Sequence, residues 1–263
     1  MFERNGEGAK PTAFADYIVS RAAPAMQSME AIAREVRMMV RGEAGRLRIG
    51  MGPIIRDLIF ADVSDRILQT FPRLSLRTFV ASTPELQKEL ELHRIDVAIN
   101  SSEHMPNEID PEVEKDFVKT SLFSISLCFL ARPDHPILLY KGPVSAETLL
   151  EFPIAGIGFT REQRTVFPSV LSPAQRKNLW AYQLSDYALV SRVVLNSDAI
   201  GCAPRPIFAE AIADGRLVSI PLAFRMEHHC VALTLPETWH SPTVRRFMTI
   251  AREVSDKIML EAE

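Results

Sequence analysis

Cysteines are few in this chain, and long apolar runs are missing. Its 263 residues include three cysteines, Cys128, Cys202 and Cys230, an odd and widely spaced set. Such a set predicts neither a disulfide framework nor a paired-cysteine metal site. No apolar stretch approaches the length of a membrane span, and the start of the sequence lacks the basic and apolar segments of a signal peptide. A reducing cytoplasm is therefore the expected location.

A large excess of one charge is also missing. Lys and Arg number 30 against 33 Asp and Glu, which leaves a formal net charge of -3. This balance gives the chain no global electrostatic reason to bind a phosphate backbone. It excludes a strongly basic nucleic-acid-binding body, and it is equally compatible with most cytosolic proteins.

Catalytic motifs are absent as well. The sequence has no GxSxG, HExxH or P-loop motif. The GIGF segment at 156–159 has two glycines of a dinucleotide fingerprint and lacks the third, so tight packing at a strand end explains it better. His228 and Cys230 would share one face of a strand while His229 points away, so the three cannot grip one ion. We predict no enzyme activity, no cofactor and no metal site.

The most informative feature that is present is an apolar seam in the first 50 residues. Its members recur at alternating steps of four and three, which is the heptad spacing of a helix that packs against a partner helix. Thr12 is the expected N-cap and Gly42 the expected stop, and Pro24 should kink or interrupt the helix. The alternative is an amphipathic helix docked on its own domain. The predicted dimerisation seam comprises Ile18, Ala22, Ala25, Met29, Ile32, Val36 and Met39.

The pattern after this helix is an alternation of short strands and helices. Strands are predicted at 46–51, 76–81 and 95–100, with a helix at 54–71 whose apolar stripe is Ile55, Leu58, Ile59, Val63, Ile67 and Leu68. A second helix should start at Thr83, as cap, with Pro84 in its first turn. This order predicts a parallel sheet with right-handed crossovers.

A second block follows the same logic. Strands are predicted at 124–131, 153–159, 178–184, 198–203, 217–222 and 228–236, and helices at 187–196, 207–214 and 243–260. Two such blocks predict two α/β subdomains. The residue pattern alone leaves open whether the last strand and helix return to the first subdomain.

Several phrases carry a family resemblance. The opening MFERNGEGAKPT, followed by the long helix, resembles the wing and linker helix of LysR-type transcriptional regulators. That family closes its DNA-reading domain with Leu-Phe-x-Arg; Phe2 and Arg4 match, whereas Met1 stands in place of Leu. The resemblance continues through GRLRIGM, HRIDVAIN, RPDHPIL, GCAPR and DGRLVSIPL, and so covers nearly the whole chain.

The resemblance implies a two-lobed type 2 periplasmic-binding-protein fold preceded by a linker helix, with crossing strands near 124–131 and 228–235. It implies a chain that begins after its DNA-reading head. The corresponding domains are 1–11 (remnant of the wing), 12–44 (linker or dimerisation helix), 45–131 plus 236–263 (first effector-binding lobe) and 132–235 (second lobe).

A ligand site is expected beyond the carboxyl ends of the strands, where loops and helix N-termini meet. Free N–H groups and hydroxyls there would suit a carboxylate or polyhydroxy ligand. In the resembling family, positions matching 52–54, Thr83 and 159–160 commonly touch the effector. The predicted ligand-binding residues are Gly52, Pro53, Ile54, Ser82, Thr83, Asn100, Phe159, Thr160, Ser185 and Pro204.

Two further hypotheses concern charge and redox chemistry. Arg161, Arg164 and Arg205 could make the cleft positive, although solvated surface arginines are the simpler interpretation. Cys128 and Cys230 could approach each other if the crossing strands pair, although buried cysteine is commonly a small hydrophobe.

The predicted function is the effector-binding and oligomerisation portion of a LysR-type regulator, with a small metabolite bound between the lobes. Its other partners would be further copies of itself, as a dimer or tetramer, and DNA only through a domain missing from this chain. The alternatives are a solute-binding protein of a transport system and an enzyme on the same scaffold. The sequence names neither the effector nor the target genes.

Overall fold

The computed structural model describes the backbone of residues 2–5, 8–102, 112–114, 117–168, 171–179 and 181–262. Within these residues the strands are β1 Phe2–Asn5, β2 Gly8–Pro11, β3 Ala44–Met51, β4 Arg73–Val80, β5 Val97–Ser102, β6 Glu112–Glu114, β7 Phe117–Ala131, β8 Ile154–Gly156, β9 Tyr182–Gln183, β10 Ile200–Pro204, β11 Val218–Ser219 and β12 Glu227–Thr234.

The α-helices within the same residues are α1 Ala13–Val40, α2 Pro53–Ile55, α3 Ala61–Thr70, α4 Thr83–Glu91, α5 Ala146–Leu149, α6 Arg161–Arg164, α7 Pro173–Leu179, α8 Tyr187–Leu195, α9 Ala209–Ala213, α10 Pro236–Trp239 and α11 Pro242–Ala262. A π-helical segment, Arg56–Phe60, joins α2 to α3, and 3₁₀ turns lie at Pro136–Leu139 and Arg205–Phe208.

One continuous sheet runs through the main body in the order β4-β3-β5-β12-β7-β10-β8-β9, with β6 and β11 pairing with β7. β3 lies parallel to both β4 and β5, and β8 lies parallel to both β9 and β10, so each half contains the parallel unit that the alternating pattern predicts. β12 and β7 pair antiparallel between these units. The fold is thus the two-lobed, type 2 periplasmic-binding-protein-like α/β architecture, preceded by a long helix.

The 15-residue strand β7 belongs to both halves of the sheet. Its first part pairs with β12, and the segment from Leu127 to Leu130 pairs with β10. The two predicted crossing strands are therefore neighbours. The last helix, α11, packs against α3 and β3, and Phe247 and Met248 share a core cluster with Ile55, Ile59 and Ile67. The chain thus returns to the first half, which answers the question that the residue pattern left open.

The long helix α1 forms as its end signals predict. The Thr12 hydroxyl accepts a hydrogen bond from the Ala15 N–H at 3.2 Å, which caps the first turn. At the other end Gly42 adopts φ +71°, and the N–H groups of Gly42 and Glu43 bond to the carbonyls of Met39 and Met38. This is a Schellman stop, in which glycine avoids the cost of a left-handed backbone.

Pro24 does not interrupt α1, which is one helix of 28 residues, about 42 Å long. Most of its predicted seam faces solvent within the chain: Met29 is 71% exposed, Ile32 62% and Val36 51%. A helix docked on its own domain would bury these side chains. The alternative interpretation of the seam is therefore wrong for this part of α1.

Three local predictions are also wrong. The N-cap of α4 is Ser82 and not Thr83, because Glu85 lies three residues after Ser82 and accepts hydrogen bonds from its N–H and hydroxyl. Leu68 is 54% exposed, so it does not share the burial of Ile59, Val63 and Ile67 in the predicted apolar stripe. The strand predicted at 178–184 is observed only as the two-residue strand β9, because residues 178 and 179 belong to the end of α7.

Gly42 provides a test of the junction between α1 and the body. A Cβ at this position would lie 2.6 Å from the carbonyl carbon of Pro242, at the start of α11. Gly215 has nearly the same backbone, φ +69°, with nothing within 4 Å of its Cβ position. We expect Gly215→Ala to cost about 1 kcal/mol of unfolding free energy and Gly42→Ala about 2–4 kcal/mol, since a clash adds to the backbone strain. Urea unfolding of both variants checks this, and equal losses would contradict it.

Candidate functional site

The carboxyl ends of β3, β4 and β5 meet the loop after β8 around one cleft of about 990 Å³, part of it open to solvent. Both halves of the sheet contribute to its walls. Eight of the ten predicted ligand residues line it: Gly52, Pro53, Ile54, Ser82, Thr83, Asn100, Phe159 and Thr160.

The other two predicted residues, Ser185 and Pro204, are not among its lining residues. The Ser185 hydroxyl donates to the Asp186 carboxylate at 3.1 Å, and Pro204 is buried at the end of β10. The strand-end rule selected Pro204 correctly as a strand end. However, a 3₁₀ turn whose Phe208 packs on Tyr187 follows directly, so this strand end lies in the core.

Several lining residues were missed by the sequence reasoning or given other roles. From the sequence, Arg164 was expected only to contribute positive charge, and His228 was expected to have a structural role. The strand-end rule also points to Ser101, which follows the third predicted strand, whereas Gly158 adjoins Phe159 and could have been included by adjacency. The remaining lining residues include Ala81, Ile157 and Gln183.

Asn100 presents an unpartnered donor. It is only 4% exposed, and its Oδ1 accepts the Ser101 N–H at 3.0 Å. Its Nδ2 has no hydrogen-bond partner among the described residues, although the side chain lines the cleft. A buried donor without an acceptor costs about 1–3 kcal/mol. The position is therefore suited to an acceptor supplied from the cleft.

Thr83 gains a role from the corrected cap. Because Ser82 and Glu85 form the capping box, the Thr83 hydroxyl is not used as a cap. It has no partner among the described residues and lines the cleft at the first residue of α4. The Ser82 hydroxyl, by contrast, donates to the Glu85 carboxylate at 2.7 Å, and these hydrogen bonds lower the pKa of Glu85. Of the two hydroxyls, that of Thr83 is the one available to donate.

His228 connects the two sides of the cleft. Its Nε2 lies 2.9 Å from the Ser101 Oγ on β5, and its Nδ1 lies 3.1 Å from the Gln163 Nε2 on α6. Both Gln163 and His228 are almost fully buried. Burial lowers the pKa of His228 to about 4, with a smaller contribution from the neighbouring His229. The imidazole is therefore neutral at physiological pH.

Arg164 gives the cleft its charge. Its Nε and Nη2 donate to the Phe159 carbonyl at 3.3 and 3.2 Å, which holds the guanidinium beside the loop after β8. Among the described lining residues it alone carries a permanent charge, and no Asp or Glu belongs to that set. Arg205 lines a different groove with Cys128 and Glu227, and the Arg161 side chain lies outside the described residues. The cleft favours an anion.

The redox hypothesis is not supported by strand register. All three cysteines are free, and Cys230 pairs with Phe123, five residues before Cys128 on β7. Five residues of strand span about 16 Å, whereas a disulfide needs Cα atoms within about 7 Å. Burial raises the pKa of Cys128 to about 11, so its thiol is also a poor nucleophile.

Comparison with known proteins identifies the family. Residues 41–256 match the LysR substrate binding domain. A curated relative, the HTH-type transcriptional regulator GbpR of Azospirillum brasilense, is 24% identical over 153 residues, which are 57% of this chain and 42% of that protein. The matched part of the chain thus spans less than half of that relative. The chain belongs to the LysR substrate-binding-domain family.

Solved structures share the fold at low identity. A variant of full-length OxyR from Pseudomonas aeruginosa has a TM-score of 0.63 and 16% identity, covering 97% of this chain and 83% of that one. An H2O2-bound OxyR variant from Corynebacterium glutamicum has a TM-score of 0.65 and 13% identity, covering 100% and 82%. A putative transcriptional regulator from Vibrio parahaemolyticus has a TM-score of 0.64 and 16% identity, covering 82% and 96%. In the part of the chain that the structure describes, no helix has the length and apolarity needed to cross a membrane.

The lowered pKa of His228 predicts a pH dependence of stability. The unfolded imidazole titrates near pH 6.5 and the folded one near 4, so between these values the unfolded chain binds the extra proton. Stability must therefore fall as pH falls through this window. We expect the unfolding free energy to drop by about 2–3 kcal/mol from pH 7.5 to 4.5 on account of this group.

Urea unfolding at several pH values measures this slope. His228→Asn should remove it, whereas His240→Asn, at an exposed position, should leave it in place. A slope that survives in the His228 variant would show that another group carries the pH dependence.

Proposed function

We propose that this chain is the effector-binding and oligomerisation portion of a LysR-type transcriptional regulator, and that a small organic acid binds in the cleft. The observation that carries the proposal is the convergence of hydrogen-bond donors from both halves of the sheet on one cleft. Asn100 Nδ2 and the Thr83 hydroxyl come from the first half, and Arg164 comes from the second. A carboxylate or polyhydroxy acid offers acceptors to all three.

Ligand binding would act by shifting a conformational equilibrium. β7 and β12 are the paired strands between the halves, and the cleft opens where other elements from the two halves face each other. A ligand that contacts both walls favours the closed arrangement by its difference in affinity for the two states. No covalent chemistry is required.

The DNA-binding step would belong to a winged helix-turn-helix attached ahead of α1. β1 and β2 pair antiparallel in a short hairpin, with Phe2 opposite Pro11 and Glu3 opposite Lys10. A hairpin at this position is consistent with a wing remnant at 1–11, followed by a linker helix at 12–44. The proposed lobes are 45–131 plus 236–263, and 132–235.

Oligomerisation would use the exposed seam of α1. Beyond Met29, Ile32 and Val36, Phe14 is 64% exposed and Met39 48% exposed. Contiguous apolar surface of this kind marks an interaction site, and heptad spacing specifies a helix as the occupant. A second copy of α1 supplies one. The rival function, a solute-binding protein, gives this seam no use.

Glutamates in the seam should dissociate the oligomer. Met29→Glu combined with Ile32→Glu places charges where two helices would exclude water, and we expect sedimentation velocity to show monomers at concentrations where the unchanged protein is oligomeric. Gln27→Glu with Ala31→Glu, on the opposite exposed face of the same helix, is the matched control. A monomeric unchanged protein would contradict the proposal and favour the solute-binding alternative.

The function itself is tested with the full-length gene product. Acetate, succinate, benzoate and gluconate, each with its amide, form a panel for calorimetry and for footprinting on the DNA upstream of the gene. We expect at least one acid from the panel to bind, to bind more tightly than its amide, and to change the footprint. Asn100→Asp should weaken that binding at least tenfold, about 1.4 kcal/mol, because it exchanges the donor for a repelling carboxylate.

Asn196→Asp, an exposed change outside the cleft, is the control and should bind as the unchanged protein does. Loss of ligand binding in this control, or equal binding in the Asn100 variant, would remove the cleft from the mechanism. Failure of the full-length protein to bind the upstream DNA would overturn the regulator assignment.

A further inference from the structure

The Gln163–His228–Ser101 relay runs from the second half of the sheet, through the crossing strand β12, to the cleft wall on β5. Each of its contacts spans elements that are distant in sequence: Gln163 to His228 at 3.1 Å and His228 to Ser101 at 2.9 Å. The relay ends at a hydroxyl that lines the cleft. The proton positions along it determine what that hydroxyl can offer a ligand.

The orientation of the Gln163 amide is fixed at both of its ends. The Thr160 N–H donates to Gln163 Oε1 at 3.0 Å, which identifies the oxygen. Gln163 Nε2 donates to the Glu227 carbonyl at 2.8 Å, which identifies the nitrogen. A flipped amide would set Oε1 against that carbonyl and Nε2 against the Thr160 N–H, losing both hydrogen bonds. The group that faces His228 is therefore an NH2 donor.

A donor at this position determines the histidine tautomer. An amide NH2 cannot accept, so His228 Nδ1 must carry the lone pair and Nε2 the proton. The Nε2–H then donates to the Ser101 oxygen. The Ser101 proton is left to point elsewhere, and it has no acceptor among the described residues. The unpartnered Nδ2 of Asn100 is a second donor among the residues that line the cleft.

We propose that Gln163 and His228 are positioning residues that hold the Ser101 hydroxyl as a hydrogen-bond donor toward the cleft. A hydroxyl fixed as a donor favours a ligand group that accepts hydrogen bonds, such as a carboxylate. This inference rests on the proposed function only in taking the cleft as the ligand site. An ammonium group at this position would bring donors against a donor.

The two hydrogen bonds of His228 also require that its imidazole ring be uncharged. A protonated His228 would direct Nδ1–H at the Gln163 NH2 group, so both contacts could not persist. Burial keeps the imidazole uncharged well below neutral pH, and the neighbouring His229 opposes a second positive charge. The donor character of Ser101 is thus maintained across the physiological range.

The ring nitrogens report the tautomer directly. In ¹⁵N-labelled protein, spectra that correlate ring nitrogens with ring carbon-bound protons distinguish a protonated nitrogen from a bare one, and His228→Asn identifies the signals among the six histidines. We expect a bare Nδ1 and a protonated Nε2 down to about pH 5. A protonated Nδ1 in the unchanged protein would overturn the inference.

Gln163→Glu is the informative variant, because a carboxylate accepts where the amide donated. We expect it to move the proton onto Nδ1, whereas Ser101→Ala should leave Nδ1 bare. If Gln163→Glu does not fold, Gln163→Leu removes the donor without adding charge, and a mixture of tautomers is expected instead. An unchanged ring pattern after loss of the Gln163 amide would overturn the inference.

Affinity for the tightest-binding acid of the panel supplies the second readout. Gln163→Glu and Ser101→Ala should each weaken it about tenfold, which is about 1.4 kcal/mol. Ser124→Ala, which removes the serine of the exposed Ser124–His229 pair at 2.8 Å, should not. Full affinity in the Gln163 variant would refute the relay. A panel without any binder would count against the proposed function, while the ring pattern would still decide the relay.

Discussion

The antiparallel pairing of β7 with β12 is the interaction on which the rest of the structure depends. β7 extends one ladder through both halves of the sheet, so neither half has a core independent of it; one cluster of buried side chains includes residues of β3, β8, β10 and β12. The pairing register shifts between Cys230 and Val231, as at a β-bulge. Such irregularities re-aim side chains, and this one lies two residues from His228, whose ring reaches the wall of the cleft. The strand that joins the halves thus also carries a residue of the site.

The cleft shows how the same backbone rule gives different results at different strand ends. Parallel strands that end at one edge leave room for a ligand beyond them, and β3, β4 and β5 satisfy that condition together. The end of β10 does not, since the 3₁₀ turn that follows packs Phe208 onto Tyr187. The charge of the cleft then comes from the end of α6, where the Phe159 carbonyl anchors Arg164. The backbone thus determines the shape of the cleft, and a few side chains determine the sign of its charge.

Features that depend on neighbouring residues could be predicted from the sequence, and contacts between distant residues could not. Thr12 and Gly42 act within a single turn of helix, so the ends of α1 could be predicted from the residues alone. The Ser82–Glu85 capping box was also present in the sequence, and the preference for Thr83 overlooked the glutamate three residues after the serine. His228 is different, because its two partners lie 65 and 127 residues away. The pairing of β12 with β5 brings Ser101 to His228, and no periodicity in the sequence encodes that pairing.

The joint between the long helix and the body is connected to the cleft by packed elements. Pro53 and Ile54 line the cleft at the start of α2, whose path continues through the π-helical segment into α3. α3 packs on α11, and the start of α11 meets Gly42 so closely that a methyl group would not fit. Spatial continuity alone is not coupling. It does place the start of α2, at the cleft, on a path of packed helices that ends at the joint of α1. Because α1 is about 42 Å long, a small rotation at Gly42 becomes a large displacement at its far end, where the proposed DNA-binding domain would be attached.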